Sequence, residues 1–190
     1  MKTVEVTIKG ITPLLQHRFT ERDEQPGQSR PVLDKQRDPR KEAEQCAYRN
    51  GSCYYFPGAA IARLLREAGG GHKLKGTRKS IKYIVPAAVI VSSDAITILK
   101  ANCKTKVTKF EVDSRPVVIP ATKGRIMRHR PRWDTWSAKF SLEIDEEVLT
   151  VVLIHQLLTE GGTRIGIGDY RPECGGPFGR FRVISWKEKH

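Results

Sequence analysis

Three short segments of the chain carry basic side chains at high density. Seven Lys or Arg against one Glu lie in residues 63–82, four Lys lie in 100–109, and five Lys or Arg lie in 123–132. The 190-residue chain holds 34 Lys and Arg against 21 Asp and Glu, a net charge of +13, so its remainder is close to neutral. Dense cations suit a polyanion, and the segments predict phosphate contacts. Unspecific surface charge, another polyanion or an acidic protein partner are the alternatives.

Aromatic side chains are interleaved with these cations, a pattern that suits an unpaired strand whose bases can stack. Tyr83, Trp133 and Trp136 are the expected stacking residues, with Tyr170 and Phe178 as further candidates. Core packing is the alternative for Trp136 and Phe178. The residues that we expect to bind nucleic acid are His72, Lys73, Lys75, Arg78, Lys79, Lys82, Arg125, Arg128, Arg130, Arg132, Trp133, Gly166, Gly168, Arg171, Gly175, Gly176 and Arg180.

Residues 161–181, GGTRIGIGDYRPECGGPFGRF, hold seven of the sixteen glycines of the chain. The G-x-G at 166–168 lacks the third glycine of the dinucleotide-binding fingerprint, and no GK[ST] follows, so neither nucleotide-binding motif is present. Two interpretations stay open. The segment forms a concavity of N–H groups that binds phosphate, or it is a tight helix-to-strand connection in which two backbones pass closely.

His17 is the candidate catalytic residue if the protein is an enzyme, because it follows a strand and a proline-containing turn. A positioned histidine could move a proton while Lys75 or Lys79 stabilises charge on a phosphate. The acidic residues near 23–38 do not form the compact cluster of a two-metal nuclease. Cys46 and Cys53 lack the spacing of a zinc site, so we expect no metal and no cofactor.

The four cysteines and the absence of an apolar run of about 18 residues indicate free thiols in a reducing cytoplasm, bacterial or that of a phage-infected host. The start of the chain, MKTVEVTIKG, alternates like a strand and does not resemble a signal peptide. We therefore expect no membrane partner.

The pattern of apolar residues predicts two β-α-β halves. Residues 2–9 alternate as a strand, Asp38 caps a helix that runs to about Arg49, and a helix follows Pro57 and ends at the glycines 69–71. Two strands are expected within 84–99, a strand over 137–144, a helix from Asp145 to the glycines 161–162, and a last strand over 179–185.

This order predicts an α+β fold with a ferredoxin-like, RRM-like antiparallel sheet, helices on one face and the other face open to a ligand. We expect one domain over 1–190, with a mobile loop at 20–37. Residues 100–136 show no sustained periodicity, which indicates an extended basic insertion, partly paired as a ribbon.

A helix, a glycine-rich loop and the stretch Gly176-Pro177-Phe178-Gly179-Arg180-Phe181 before the last strand resemble the RAMP superfamily of CRISPR-associated RNA-binding proteins. The segments at 10–15, 130–133 and 168–172 are also similar to uncharacterised proteins of tailed phages and prophages. The RAMP resemblance implies a ferredoxin-like fold in which the glycine-rich loop approaches the bound RNA strand. It also implies that the 100–136 insertion is a protruding thumb and that the 72–82 loop lies against the RNA backbone.

The resemblance further implies a non-catalytic protein that binds single-stranded nucleic acid, RNA rather than DNA, with little sequence choice. As RAMP backbone subunits do, copies would assemble head to tail along the strand. Two alternatives stay open: a metal-independent RAMP-type endoribonuclease that uses His17, and a phage interaction protein that mimics a subunit of a CRISPR complex.

Overall fold

A computed structural model describes residues 1–19, 38–74, 76–118 and 123–189. Its strands are β1 (Lys2–Gly10), β2 (Leu14–Leu15), β3 (Arg49–Asn50), β4 (Cys53–Pro57), β5 (Val89–Val91), β6 (Ala95–Leu99), β7 (Glu111–Val118), β8 (Arg125–Trp133), β9 (Ser137–Ile144) and β10 (Phe181–Lys189). Its α-helices are α1 (Pro39–Gln45), α2 (Gly58–Ala68), α3 (Val85–Ala88) and α4 (Val151–Arg164). The loop predicted at 20–37 lies outside the described residues.

The main sheet has the strand order β10-β1-β9-β6-β4-β3, with β5 also paired to β9. Its centre is antiparallel, and β1 lies between β9 and β10. The last strand, the first strand, and the strand before α4 are therefore neighbours, which is the order that two β-α-β halves produce when they interleave. The predicted α+β, ferredoxin-like class is confirmed.

One face of this sheet carries the core. Val4, Val6 and Ile8 of β1 are buried while the residues between them are more exposed, as period-2 alternation requires. Helices α2 and α4 pack on this face, with Leu64 and Leu157 fully buried in the same cluster. The opposite face of β10, β1 and β9 carries polar and charged side chains.

A smaller sheet, β2-β8-β7, is built largely from the segment predicted as an insertion. Strands β7 and β8 pair over eight residues, from Glu111 opposite Arg132 to Val118 opposite Arg125. The hairpin is joined to the body of the protein by β2, which pairs with the end of β8, and by α1, which packs against both hairpin strands. We call β7 and β8 the basic hairpin.

Several element boundaries differ from the sequence-based prediction for identifiable reasons. Helix α1 ends at Gln45, because Arg49–Asn50 already pairs with β4. Within the stretch 84–99, where two strands were predicted, residues 85–88 are helical rather than extended, and β5 and β6 both pair with β9.

The two glycines expected to end α4 lie inside it. A Cβ at Gly161 would lie 2.4 Å from Leu64 Cδ2, and a Cβ at Gly162 would lie 2.7 Å from Phe181 O. Glycine therefore permits close packing of α4 on α2 and on β10. Helix α4 also starts later than predicted, because Thr150 accepts the hydrogen bond from Leu153 N while Asp145 accepts one from Glu147 N in a preceding turn.

Candidate nucleic-acid interface

The glycine-rich loop between α4 and β10 folds back on its own chain. A Cβ at Gly176 or at Gly179 would lie 1.8 Å from a backbone oxygen, that of Tyr170 or that of Ile167 respectively. Gly168 has a φ of +78°, and its Cβ would lie 2.3 Å from Leu15 O. Glycine at these three positions is explained by close approach within the protein, whereas Gly175 has a positive φ but open space around it.

Most backbone N–H groups of this loop donate within the protein. Asp169 N donates to Leu15 O and Gly179 N donates to Pro13 O, which ties the loop to the start of the chain. Within the described residues, the N–H groups of Gly168, Tyr170 and Arg171 have no acceptor. The two interpretations of the loop therefore apply to different parts of it: a close backbone crossing, and a short stretch with free donors.

Gly168 and Arg171, two of these three donors, line a cleft of about 220 Å³ between the loop and the N-terminal half of α2. His17, Arg63, Gly168, Asp169 and Arg171 are among the residues that line it. The structure thus brings together the loop and His17, although they are about 150 residues apart in the sequence. Ala60 and Pro57 add the start of α2, where the helix dipole favours an anion.

The cations of this cleft have carboxylate partners. Arg63 and Arg171 both contact Glu173. The Nε and Nη2 atoms of Arg171 each lie 3.0 Å from Glu173 Oε2. Arg130, only 8% exposed, places Nε 2.8 Å from Asp169 Oδ2, and His17 Nδ1 is 3.8 Å from the same oxygen. The net charge of the cleft is therefore much smaller than its count of cations suggests.

The basic hairpin is largely neutralised as well. Arg132 forms ion pairs with Asp134 and Asp113, and its hydrogen bond with Asp134 raises the pKa of its guanidinium. Arg128 Nη1 lies 3.7 Å from Glu42 Oε1. Arg115 forms an ion pair with Asp113, and its guanidinium stacks on the Phe178 ring. Arg125 lies on an exposed position at the start of β8.

The 72–82 loop occupies another part of the surface, beyond the C-terminal end of α2. His72 Nε2 is 3.1 Å from Glu160 of α4, and Lys82 Nζ is 2.7 Å from Glu67. Hydrogen bonds from Lys82 and Arg66 lower the pKa of Glu67. Lys73, Arg78 and Lys79 form no ion pair with the described residues, and Lys75 lies outside them. The described residues of this loop contact α2 and α4, whereas the basic hairpin packs on α1 and β2, so the two basic segments lie against different elements of the fold.

The expected stacking role of Trp133 is wrong, because its side chain is 4% exposed and its indole N–H donates to Lys109 O. Trp136 is 1% exposed and Phe178 is 5% exposed, which agrees with core packing. Tyr83 and Tyr170 are exposed at 82% and 41% and remain able to stack on a base.

Sequence reasoning missed a set of cations on the open face of the main sheet. Lys9, Lys139, Arg182 and Lys187 project from β1, β9 and β10 on the face away from the helices. We call these four residues the basic sheet face. A run of charge is what marks a basic segment in the sequence, and these cations occur singly in separate strands. They could have been found because the predicted order of elements makes β1 and β10 neighbours, and Lys9 and Arg182 occupy positions that point away from the core in these strands.

Among the described residues, no group of three or more His, Cys, Asp or Glu side chains is placed to hold a metal ion. No helix in the described ranges is long and apolar enough to cross a bilayer.

The architecture is similar to a chain in the cryo-EM structure of the Type III-B Cmr-beta bound to cognate target RNA, with a TM-score of 0.57 and 11% identity. The match covers 98% of this chain and 60% of that one. The fold is RAMP-like. A second similar structure is the crystal structure of Cmr6 from Pyrococcus furiosus, with a TM-score of 0.49 and 10% identity over 95% of this chain and 97% of that one.

The similarity to the Cmr-beta chain confirms the predicted RAMP resemblance at the level of fold. The sequence matches no protein-family profile and no curated protein. The resemblance to proteins of tailed phages stays a prediction. This chain spans 60% of the length of the Cmr-beta chain that it matches.

Proposed function

We propose that this protein binds single-stranded nucleic acid, RNA in preference to DNA, at the cleft beside the glycine-rich loop, without catalysing a reaction. The observation that carries the proposal is the free N–H groups of Gly168 and Arg171, two residues that line a cleft that also holds Arg63 and His17. Free backbone donors with guanidinium groups beside them form a phosphate site.

Two further features support the same class of ligand. The net charge of +13 favours a polyanion in solution. The fold is similar to that of a chain in a Type III-B complex bound to target RNA. An RNA 2′-hydroxyl offers a donor and an acceptor that DNA lacks, and Asp169 could accept its hydrogen bond in the cleft.

The exposed cations of the 72–82 loop and of the hairpin would add contacts to phosphates farther along the strand. Such contacts carry no base information, so binding should tolerate any sequence. Copies would assemble along one strand. Light scattering of the protein with and without a long oligonucleotide tests this assembly, which requires a mass that grows with the length of the strand.

Fluorescence anisotropy with labelled homopolymer RNA and DNA across a salt series tests the main proposal. If phosphate contacts dominate, the logarithm of the binding constant falls with the logarithm of salt by about 0.7 per contact. Arg171→Gln should reduce the slope by about 0.7, because one contact is lost. Arg49→Gln is the matched control, since Arg49 also pairs with a glutamate, Glu44, but lies outside the cleft. A salt-independent signal would overturn the proposal.

Cleavage of RNA is the second candidate function, because His17 lies in the cleft with Asp169 near its ring. His17 would take the proton of a 2′-hydroxyl as that oxygen attacks the adjacent phosphate. The 5′-oxygen of the next nucleotide would then leave and take up a proton, which gives a cyclic phosphate. Incubation of RNA with a chelator, followed by product analysis, tests this: cyclic-phosphate products that His17→Ala abolishes would replace the non-catalytic proposal.

Docking on a protein complex as a phage-encoded mimic of a CRISPR subunit is the remaining interpretation. It predicts that this protein co-purifies with another protein and without nucleic acid. The ratio of nucleic-acid absorbance to protein absorbance in the purified sample detects bound nucleic acid.

A further inference from the structure

We infer that the basic sheet face is a second binding surface for the phosphate backbone of the same nucleic-acid strand. This inference rests on the proposed nucleic-acid binding and extends it to residues on the opposite side of the main sheet from the helices. The cations concerned are Lys9, Lys139, Arg182 and Lys187, which belong to none of the three basic segments of the sequence.

The pairing of strands places these cations in one band. Arg182 is opposite Lys9 on the neighbouring strand, and Lys139 is opposite Thr7, two residues along β1 from Lys9. Lys187 is opposite Glu5, four residues along β1 from Lys9. Paired residues project from the same face of a sheet, so these cations share one face of three adjacent strands, which is roughly 10 Å across.

These cations are not explained by ion pairing. In the described part of the chain, Lys9, Lys139 and Arg182 form no ion pair, whereas the cleft arginines each contact a carboxylate. Glu5 lies on the same face, where its ion pair within 4 Å is with Lys189, while Lys187 and Lys139 attract its carboxylate at longer range. Lys9 and Arg182 are moreover directly opposite each other, an arrangement that destabilises a sheet unless a ligand uses it.

Protection of a sheet edge does not explain them either. Charged side chains on an edge strand prevent unwanted pairing, which accounts for Arg182 and Lys187 on β10. Lys9 and Lys139 are on β1 and β9, and both of these strands are paired on each side. Cations at inner positions of a sheet face need another reason, and an anionic ligand on that face supplies it.

The chemistry of the face favours nucleic acid over an acidic protein. Protein interfaces depend on buried aromatic or apolar anchors, and the outward positions of β1, β9 and the paired residues of β10 carry Thr, Ser, Lys, Arg and Glu. The face also lacks aromatic rings for stacking, so its contacts are with phosphates and are indifferent to sequence. Exposed Arg180 ends the glycine-rich loop two residues before Arg182, so the loop and the basic sheet face are adjacent along the chain.

The test compares two double variants that lose the same charge. The first combines Lys9→Thr and Arg182→Thr, and the control combines Lys41→Gln and Arg49→Gln. Anisotropy is measured with homopolymer RNA of about 4 and about 16 nucleotides across a salt series. We expect the first variant to bind the longer RNA on the order of tenfold more weakly, with a salt slope smaller by about 1.4, and to bind the shorter RNA unchanged. The control should match the wild type.

The outcomes separate this inference from the proposed function. If the wild type binds neither RNA, the proposed function fails; if it binds both and the double variant equals the control, the basic sheet face does not contact the strand. Thermal unfolding of the variant should show a melting temperature no lower than that of the wild type, because two opposed cations are removed. Lys139→Thr alone is the second variant, and an unchanged salt slope there would also contradict the inference.

Discussion

The cleft beside the glycine-rich loop and the basic sheet face hold their cations in opposite electrostatic conditions. In the cleft, Arg63 and Arg171 pair with Glu173, and the cleft residue Asp169 pairs with buried Arg130. On the sheet face, Lys9 and Arg182 lie opposite each other and form no ion pair with the described residues. The difference shows that the density of cations in a sequence segment does not locate the charge that is free to bind a ligand.

The same difference separates a region where folding depends on each residue from one where residues are exchangeable. In the loop, glycines and ion pairs connect α4, β2 and the hairpin. On the sheet face, Lys9, Lys139 and Arg182 form no ion pair with the described residues, so substitutions there should change ligand binding and leave the fold intact.

The largest effect should come from Gly179→Ala in the glycine-rich loop. The new Cβ would lie 1.8 Å from Ile167 O, at a φ of +71°. We expect the free energy of unfolding to fall by about 3 kcal/mol or more, measured by urea denaturation. Gly175→Ala is the matched control, because Gly175 has a similar φ of +77° but no atom within 4 Å, and its cost should be about 1 kcal/mol. Equal effects would show that the close crossing is not what requires glycine.

A smaller loss should follow from Asp169→Asn, which removes the carboxylate beside buried Arg130. An unpaired guanidinium that is 8% exposed keeps its desolvation cost, and because Asp169 is partly exposed we expect about 2 kcal/mol. Urea denaturation measures the loss. As a control, Glu44→Gln breaks the exposed pair with Arg49 and should cost well under 1 kcal/mol. An Asp169 variant as stable as the wild type would mean that the cleft is no more constrained than the sheet face.

On the sheet face, Lys9→Glu should raise stability. A glutamate at this position would oppose Arg182 across β1 and β10, which converts a like-charge pair into an opposite-charge pair worth about 0.5–1 kcal/mol. Urea denaturation should show a higher midpoint. The gain should disappear in the double variant with Arg182→Thr, and a gain that persists there would place its origin elsewhere.

The smallest effect concerns the pH dependence of stability that Glu67 causes through its ion pair with Lys82. Hydrogen bonds from Lys82 and Arg66 lower the pKa of Glu67 in the folded protein. A carboxyl group with a lowered pKa stabilises the fold above its unfolded pKa, and that contribution is lost as the pH falls through the folded value. Wild type and Glu67→Gln should therefore differ by about 0.5 kcal/mol at neutral pH and converge in acid. A difference that is constant from pH 7 to acid would contradict this assignment.

The order of elements and the class of fold followed from the sequence because alternating and helical patterns report which face of each segment is buried. Val4, Val6 and Ile8 in β1, and the apolar stripe of α2, are examples. The limits of α4 did not follow, since Gly161 and Gly162 suggest a helix end until their contacts with Leu64 and Phe181 are known.

The candidate site followed only in part. The glycine-rich loop was singled out by composition, and the structure brings His17 and Arg171 to its cleft. The role of Trp133 could not be decided, because an indole next to arginines suits either a base or the core, and its burial depends on the packing of Tyr54 and Phe110 around it.

The sequence by itself determined the amount of charge, the periodicity of each segment and the need for glycine somewhere between α4 and β10, since these are properties of neighbouring residues. The tertiary structure decided which cations are neutralised and which are free. Arg130 meets Asp169 and Lys9 meets Arg182 only after strands distant in sequence pair, and Coulomb interactions act over a few ångströms in space regardless of distance along the chain.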